Sequence, residues 1–155
     1  MGLNRVTVRK TPVDVEALLF ALDMALAAKV GYPIETTGSI EHPDADAPMA
    51  QVAAWQENGT ETAPPRPFMR QGADVMLQRR GLAVPHVRRL VMGKMHGAAF
   101  ITAMGMLLKS SIEEAVKRQG FAPLAPATVA AKGSAEILVD SGEMIEHLDV
   151  HVARF

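Results

Sequence analysis

Hydrophobic and polar positions along this chain change period several times, and each change marks an expected element. Val6 and Val8 alternate with Arg5, Thr7 and Arg9, the two-residue period of a short strand. Thr11-Pro12 then opens a helix, with Thr11 as N-cap and Pro12 at the first helical position, where a missing N–H costs nothing. Asp14 favours the same end of the helix dipole. Leu18, Leu19, Leu22, Ala25 and Leu26 form the apolar stripe of that helix. Gly31 is its expected stop, and the chain turns outward as a short strand over 30–33.

Residues 34–48 carry Gly38, Pro43, Asp44 and Asp46 with little apolar content, which reads as a long exposed loop. Pro48 starts a helix through Met49, Val52, Ala53 and Trp55, and Gly59 ends it. Helical patterning resumes over about 72–80, breaks at Gly81 and restarts at Val84-Pro85. The longest helix is expected over about 98–119, with Ile101, Met104, Leu108, Ile112 and Val116 on one face and Gly120 as its stop. One or two helical turns follow over 126–132, then the short apolar run Ile137-Leu138-Val139. Ser141 caps a turn with Met144 and Ile145 inward, and Leu148, Val150 and Val152 alternate as a closing strand. The layout is α+β: a small sheet from short strands near both ends, packed with several helices including one long central helix.

At 155 residues the chain is expected to form one domain with its own core. Apolar residues make up 48% and aromatics only 5%, so Ala, Val, Leu and the ten Met carry the core. With no cysteine, disulfides and thiolate metal sites are excluded. The apolar run from Gly97 to Leu108 is shorter than a bilayer span of about 20 residues, and the first residues lack a signal-peptide layout. A soluble protein made in a reducing cytoplasm, with no membrane partner, is expected.

The formal charge of −1 conceals a partition. Residues 1–65 hold four basic and nine acidic side chains, 66–132 hold eleven basic and three acidic, and 133–155 hold one basic and five acidic. Such segregation suits stacking on copies of the same chain or contact with a polyanion, as well as an ordinary solvated face.

The stretch most suggestive of function runs from Trp55-Gln56-Glu57-Asn58-Gly59-Thr60 to Pro64-Pro65-Arg66-Pro67-Phe68-Met69-Arg70. Its prolines stiffen an extended segment that loses little entropy on binding. Phe68 adds area and Arg66 and Arg70 add directional pairing, residue types that dominate interfaces. Trp55 and Phe68 equally suit core positions that pin the helix end.

Chemistry finds weaker footing. His147, Asp149 and His151 fall on one face of the closing strand, a set able to bind a divalent metal or simply to face solvent. No serine has a glycine-flanked elbow, and neither a phosphate loop nor a dinucleotide fingerprint is present. No catalytic residue or cofactor is expected. Arg66, Arg70, Arg79, Arg80, Arg88, Arg89 and Lys94 lack interleaved aromatics and a readable recognition helix, which leaves only non-specific contact with DNA.

Two blocks together resemble the tail-completion or neck proteins of tailed bacteriophages. The first is the Trp55–Thr60 helix end with Pro64-Pro65-Arg66-Pro67-Phe68, similar to a family "P-x-R-P-F" element. The second is Pro123-Leu124-Ala125-Pro126-Ala127-Thr128 with Lys132, then Leu138-Val139-Asp140-Ser141-Gly142-Glu143-Met144, similar to "P-L-x-P-x-T" and "L-x-D-[ST]-G-x-[LM]". One long helix separates them; residues 34–48 and 81–96 match no family pattern.

The resemblance implies a virion structural protein at the head–tail junction. It would complete the tail end and help it join the head connector as a closed ring of identical subunits, and would not be an enzyme. Its partners would be itself and the neighbouring tail-terminator and connector proteins. Interface residues would be Trp55, Glu57, Arg66, Pro67, Phe68, Arg70, Leu124 and Lys132, while Arg79, Arg80, Arg88 and Arg89 would line a DNA channel or touch the next ring. A tail terminator or another joining protein is the alternative within that class. A small metal-dependent enzyme built on His147, Asp149 and His151, and a cytoplasmic module binding acidic partners, are alternatives outside it.

Overall fold

The computed structural model describes residues 26–43, 45–138 and 142–154. In chain order these form β1 (Leu26–Gly31), α1 (Met49–Asn58), α2 (Phe68–Gln78), a 3-10 turn (Arg80–Ala83) and α3 (Val84–Val91). There follow α4 (Gly97–Lys117), α5 (Pro126–Lys132), the single-turn α6 (Glu143–Glu146) and β2 (Asp149–Arg154). The two strands form an antiparallel pair, Leu26 opposite Arg154 and Gly31 opposite Asp149. With helix α4 of 21 residues, roughly 30 Å long, this is a small α+β fold.

Helix α4 is the spine, and two glycines set how closely its neighbours approach. A Cβ on Gly105 would lie 2.5 Å from Val150 Cγ1 and 3.2 Å from Ala28 Cβ, so the sheet rests directly on the helix there. Ala28 and Val30 share that face of the sheet with Val150 and Val152. On the other flank α2 crosses α4 at Gly72, where a Cβ would meet Ile112 Cγ1 at 2.3 Å and its Cα at 2.7 Å. Beyond the crossing, Arg79 reaches Glu114 of α4 at 3.0 Å, and Arg118 shares the same carboxylate at 3.2 Å. The Arg118 hydrogen bond first, then Arg79, holds the Glu114 carboxyl below the usual glutamate range. This tie is therefore complete above that range and is lost as pH falls through the lowered value.

The core lies where the first turns of α1 and α2 meet the second half of α4. Phe68, Met49, Ile112, Val116 and Leu148 are its largest fully buried side chains, with Ile137, Leu138 and Met144 packed around them. Gln119 fixes that last segment: its amide donates to Ile137 O at 2.9 Å while its Oε1 accepts from Ile137 N–H at 2.6 Å. It does so from a left-handed backbone conformation, φ 51°.

Two local expectations change. The helix expected to run through Leu26 and stop at Gly31 is not helical there, because residues 26–31 pair with β2, and non-local strand pairing overrides a local helical stripe. The strand expected at Val6 and Val8, the helix start at Thr11 and the cap at Ser141 lie outside the described residues. The described residues of 34–48 form no helix or strand, and internal hydrogen bonds tie them down. Pro33 O accepts from Thr36, Thr37 and Gly38, His42 N–H donates to Ala47 O, and Met49 N–H donates to Ile40 O at 2.7 Å. Ala47 enters the core, leaving Glu41 and Asp46 on the surface. Finally, α2 begins at Phe68, earlier than its apolar period indicates.

The glycine contacts yield a test. Gly72→Ala drives a methyl into the Ile112 backbone and is expected to destabilise by about 1–3 kcal/mol, as overpacking does. Gly81→Ala meets nothing within 4 Å and should stay within about 0.5 kcal/mol of the parent. Urea unfolding of the two variants measures both.

Candidate docking groove

Helix α1 ends at Asn58 because Gly59 takes φ 78°, donating its N–H to Trp55 O at 2.8 Å. Thr60 then closes a turn, its Oγ1 accepting from the Thr62 and Ala63 N–H groups. The chain returns over 64–66, turns tightly at Pro67, where Phe68 N–H donates to Arg66 O at 2.7 Å, and enters α2 at Phe68. Proline at 67 offers no capping side chain, so the first turn of α2 needs an acceptor from elsewhere.

Glu57 supplies it. Its Oε2 accepts from Met69 N–H at 2.8 Å and its Oε1 from Arg70 N–H at 3.3 Å, placing a carboxylate on the positive end of the helix dipole. The residues on either side of Glu57 complete a clamp. Gln56 O accepts from Arg66 N–H at 2.7 Å, and Gln56 Oε1 accepts from Arg66 Nη1 at 3.0 Å. Asn58 Oδ1 accepts from Arg70 Nη2 at 2.9 Å, and Arg70 Nε lies 3.4 Å from Glu57 Oε1.

The clamp redistributes the residues expected at an interface. Phe68 is wholly buried, so its aromatic area serves its own core and not a partner. Arg66 is only 7% exposed and turns its Nε toward Ala122 O at 3.5 Å, so its directional pairing is spent within the chain. Glu57 is a helix cap, with a side chain 12% exposed. Pro67 is partly covered as the residue before α2. Trp55 and Arg70 stay outside: Trp55 is 41% exposed, and the Arg70 side chain 70%. Lys132 is the last residue of α5, and its side chain lies outside the description.

A groove of about 680 Å³ opens beside the clamp. Trp55, Pro64 and Arg66 form one side, Leu124 and Thr128 another, and Leu138, Glu143 and Met144 its far wall, with Val52 and Gln56 among the other lining residues. Tyr32 braces that wall by donating from its hydroxyl to Met144 O at 2.5 Å. Burial pushes the Tyr32 pKa well above its ordinary value, so the donor proton persists at any ordinary pH. Next to the groove, sharing His42 and Ala45 with it, a shallower cleft is edged by Glu41 and Asp46.

No family model, curated protein or solved structure matches this chain.

The other expected sites are not gathered here. Arg79 is bound to Glu114, which removes it from the freely presented cations, whereas Arg80, Arg88 and Arg89 are exposed on the 3-10 turn and α3. His147 is not on the closing strand; it follows α6, its Nδ1 3.2 Å from Glu143 Oε2. The Asp149 carboxyl is held below its ordinary range by the Val150 N–H first and the Thr36 hydroxyl second. His151 stands opposite Lys29. Among the described residues no group of three or more His, Asp or Glu is placed to hold a metal ion, and no helix is long and apolar enough to cross a membrane.

Removing the cap isolates its contribution. Glu57→Ala is expected to cost about 1–2 kcal/mol, with Glu57→Gln intermediate because one acceptor oxygen remains. Urea denaturation measures the loss, and faster amide exchange at Met69 and Arg70 would localise it.

Proposed function

We propose that this chain is a virion structural protein of the head–tail junction of a tailed bacteriophage. It completes the tail end and joins it to the head connector as a closed ring of identical subunits. One observation carries the reading. Trp55, Pro64 and Arg66 of the first motif block and Leu124, Thr128, Glu143 and Met144 of the second, far apart in sequence, line one groove. Both blocks give the groove exposed residues, Trp55, Pro64 and Thr128, beside buried ones, Arg66 and Met144, so a surface open to a partner is built from both.

Within this reading the groove and Trp55 form the joint between subunits, with exposed aromatic area beside an open groove that a partner can fill. Glu57, Arg66 and Phe68 act by positioning it. The protein works in the virion by binding, with tail-terminator and connector proteins as neighbours, and needs no catalytic group.

Deletion of the gene from its phage is expected to leave filled heads and separate tails, visible by electron microscopy, and wild-type protein should restore joining. Trp55→Ala should fold normally yet weaken joining by about tenfold or more, the effect of losing an aromatic anchor. Normal joining by Trp55→Ala would remove the groove from the mechanism. Tails of uncontrolled length in the deletion would make the protein a tail terminator instead.

A further inference from the structure

The head–tail reading leaves one surface without a task, at the far end of α2 from the clamp. About 15 Å along that helix the chain enters the 3-10 turn and α3, where Leu82, Val84 and Val87 are 54%, 61% and 44% exposed. Leu90 is the one buried residue of α3. Val84, Val87 and Arg88 share the outward side by their spacing of three and four. Arg80, Arg88 and Arg89 flank this apolar strip, and none of their guanidiniums has a hydrogen-bond or ion-pair partner among the described residues. A short helix with an apolar strip between unpaired guanidiniums is half of an interface.

The complementary half is on the same chain. The groove offers apolar walls in Trp55, Leu124 and Met144, and the adjoining cleft adds the exposed carboxylates of Glu41 and Asp46. Its volume, about 680 Å³, is within the range of sites that enclose several side chains. We infer that α3 of one copy docks into the groove of the next, with Val84 and Val87 against Trp55 and Leu124 and the three arginines against the acidic edge. A second copy is the occupant because one chain carries both complementary halves: exposed guanidiniums at Arg80, Arg88 and Arg89 beside the apolar strip of α3, and carboxylates at Glu41 and Asp46 beside the apolar groove. The contact is helix-in-groove, and it is heterologous, so it repeats from copy to copy and closes as a ring when the rotation allows. It rests on the proposed self-assembly and is independent of which virion proteins lie above and below.

Sedimentation velocity on the whole protein tests it, with variants that disable one half at a time. Val87→Glu combined with Arg88→Glu removes the α3 half, and Trp55→Arg or Thr128→Arg blocks the groove; all four positions are exposed, and circular dichroism should show native helix content. The wild type is expected to form oligomers that weaken with added salt, and each variant alone should remain monomeric. An equimolar mixture of an α3 variant with a groove variant should give a heterodimer and nothing larger, because one intact groove and one intact α3 remain between them. A monomeric wild type at every concentration, variants that assemble like wild type, or a mixture without heterodimer each overturn the contact. So does a monomer that binds duplex DNA through the same arginines. Oligomers untouched by every variant reject this contact and leave the head–tail proposal standing. A heterodimer from the mixture, with no restoration of head–tail joining by wild type, rejects the head–tail proposal alone.

Discussion

The carboxylate of Glu57 on the first turn of α2 is the contact on which the rest of the arrangement depends. Helix α2 begins directly after a proline, without a polar side chain of its own to satisfy its first N–H groups. Once Glu57 takes that place, the entry of α2 is fixed relative to the end of α1. That entry puts Phe68 into the core, and it sets the path along which Gly72 meets Ile112 and Arg79 reaches Glu114. One acidic side chain therefore determines the angle between two helices and, through α2, the seating of both on α4.

The same contact explains how a short motif serves structure and surface together. In Trp55-Gln56-Glu57-Asn58 the three polar residues face the returning chain, while Trp55 remains largely outside. In Pro65-Arg66-Pro67-Phe68 the cation and the aromatic both turn inward. The partners of Arg66 are Gln56 and the Ala122 carbonyl, so this one guanidinium joins the first block to the approach of the second. What remains for another molecule is a shape, held by Gln56 and Arg66 from within its own wall and by Glu57 and Phe68 from behind it.

Period and punctuation in the sequence were enough for α1, α3, α4 and α5. Gly59, Gly81, Pro85 and Pro126 end or open elements close to where the structure does, because each acts through its own backbone. The early start of α2 was hidden, since its cap comes from Glu57, twelve residues before Met69. The strand character of residues 26–31 was hidden for a similar reason: their partners are at 149–154, and the local stripe pointed to a helix. At the site, proximity of the two motif blocks could be expected only through a resemblance, while the inward turn of Arg66 and Phe68 had no local signal at all. Amphipathic residue types describe what a side chain can do and leave open which molecule it does it to.

The pairing of β1 with β2 also imposes an order on how this protein comes into being. Leu26 finds its partner at Arg154, so the sheet closes a loop containing every helix described here, and loop entropy opposes that closure until the helices have compacted the chain. Helices α2 and α4 have nearer partners and gain contacts sooner. On the ribosome β1 has no strand to meet until residues 149–154 emerge, and the Met144 wall of the groove immediately precedes that strand. The docking surface is thus completed only after the helices that carry its other walls have been made, and it waits on the one segment that also closes the sheet.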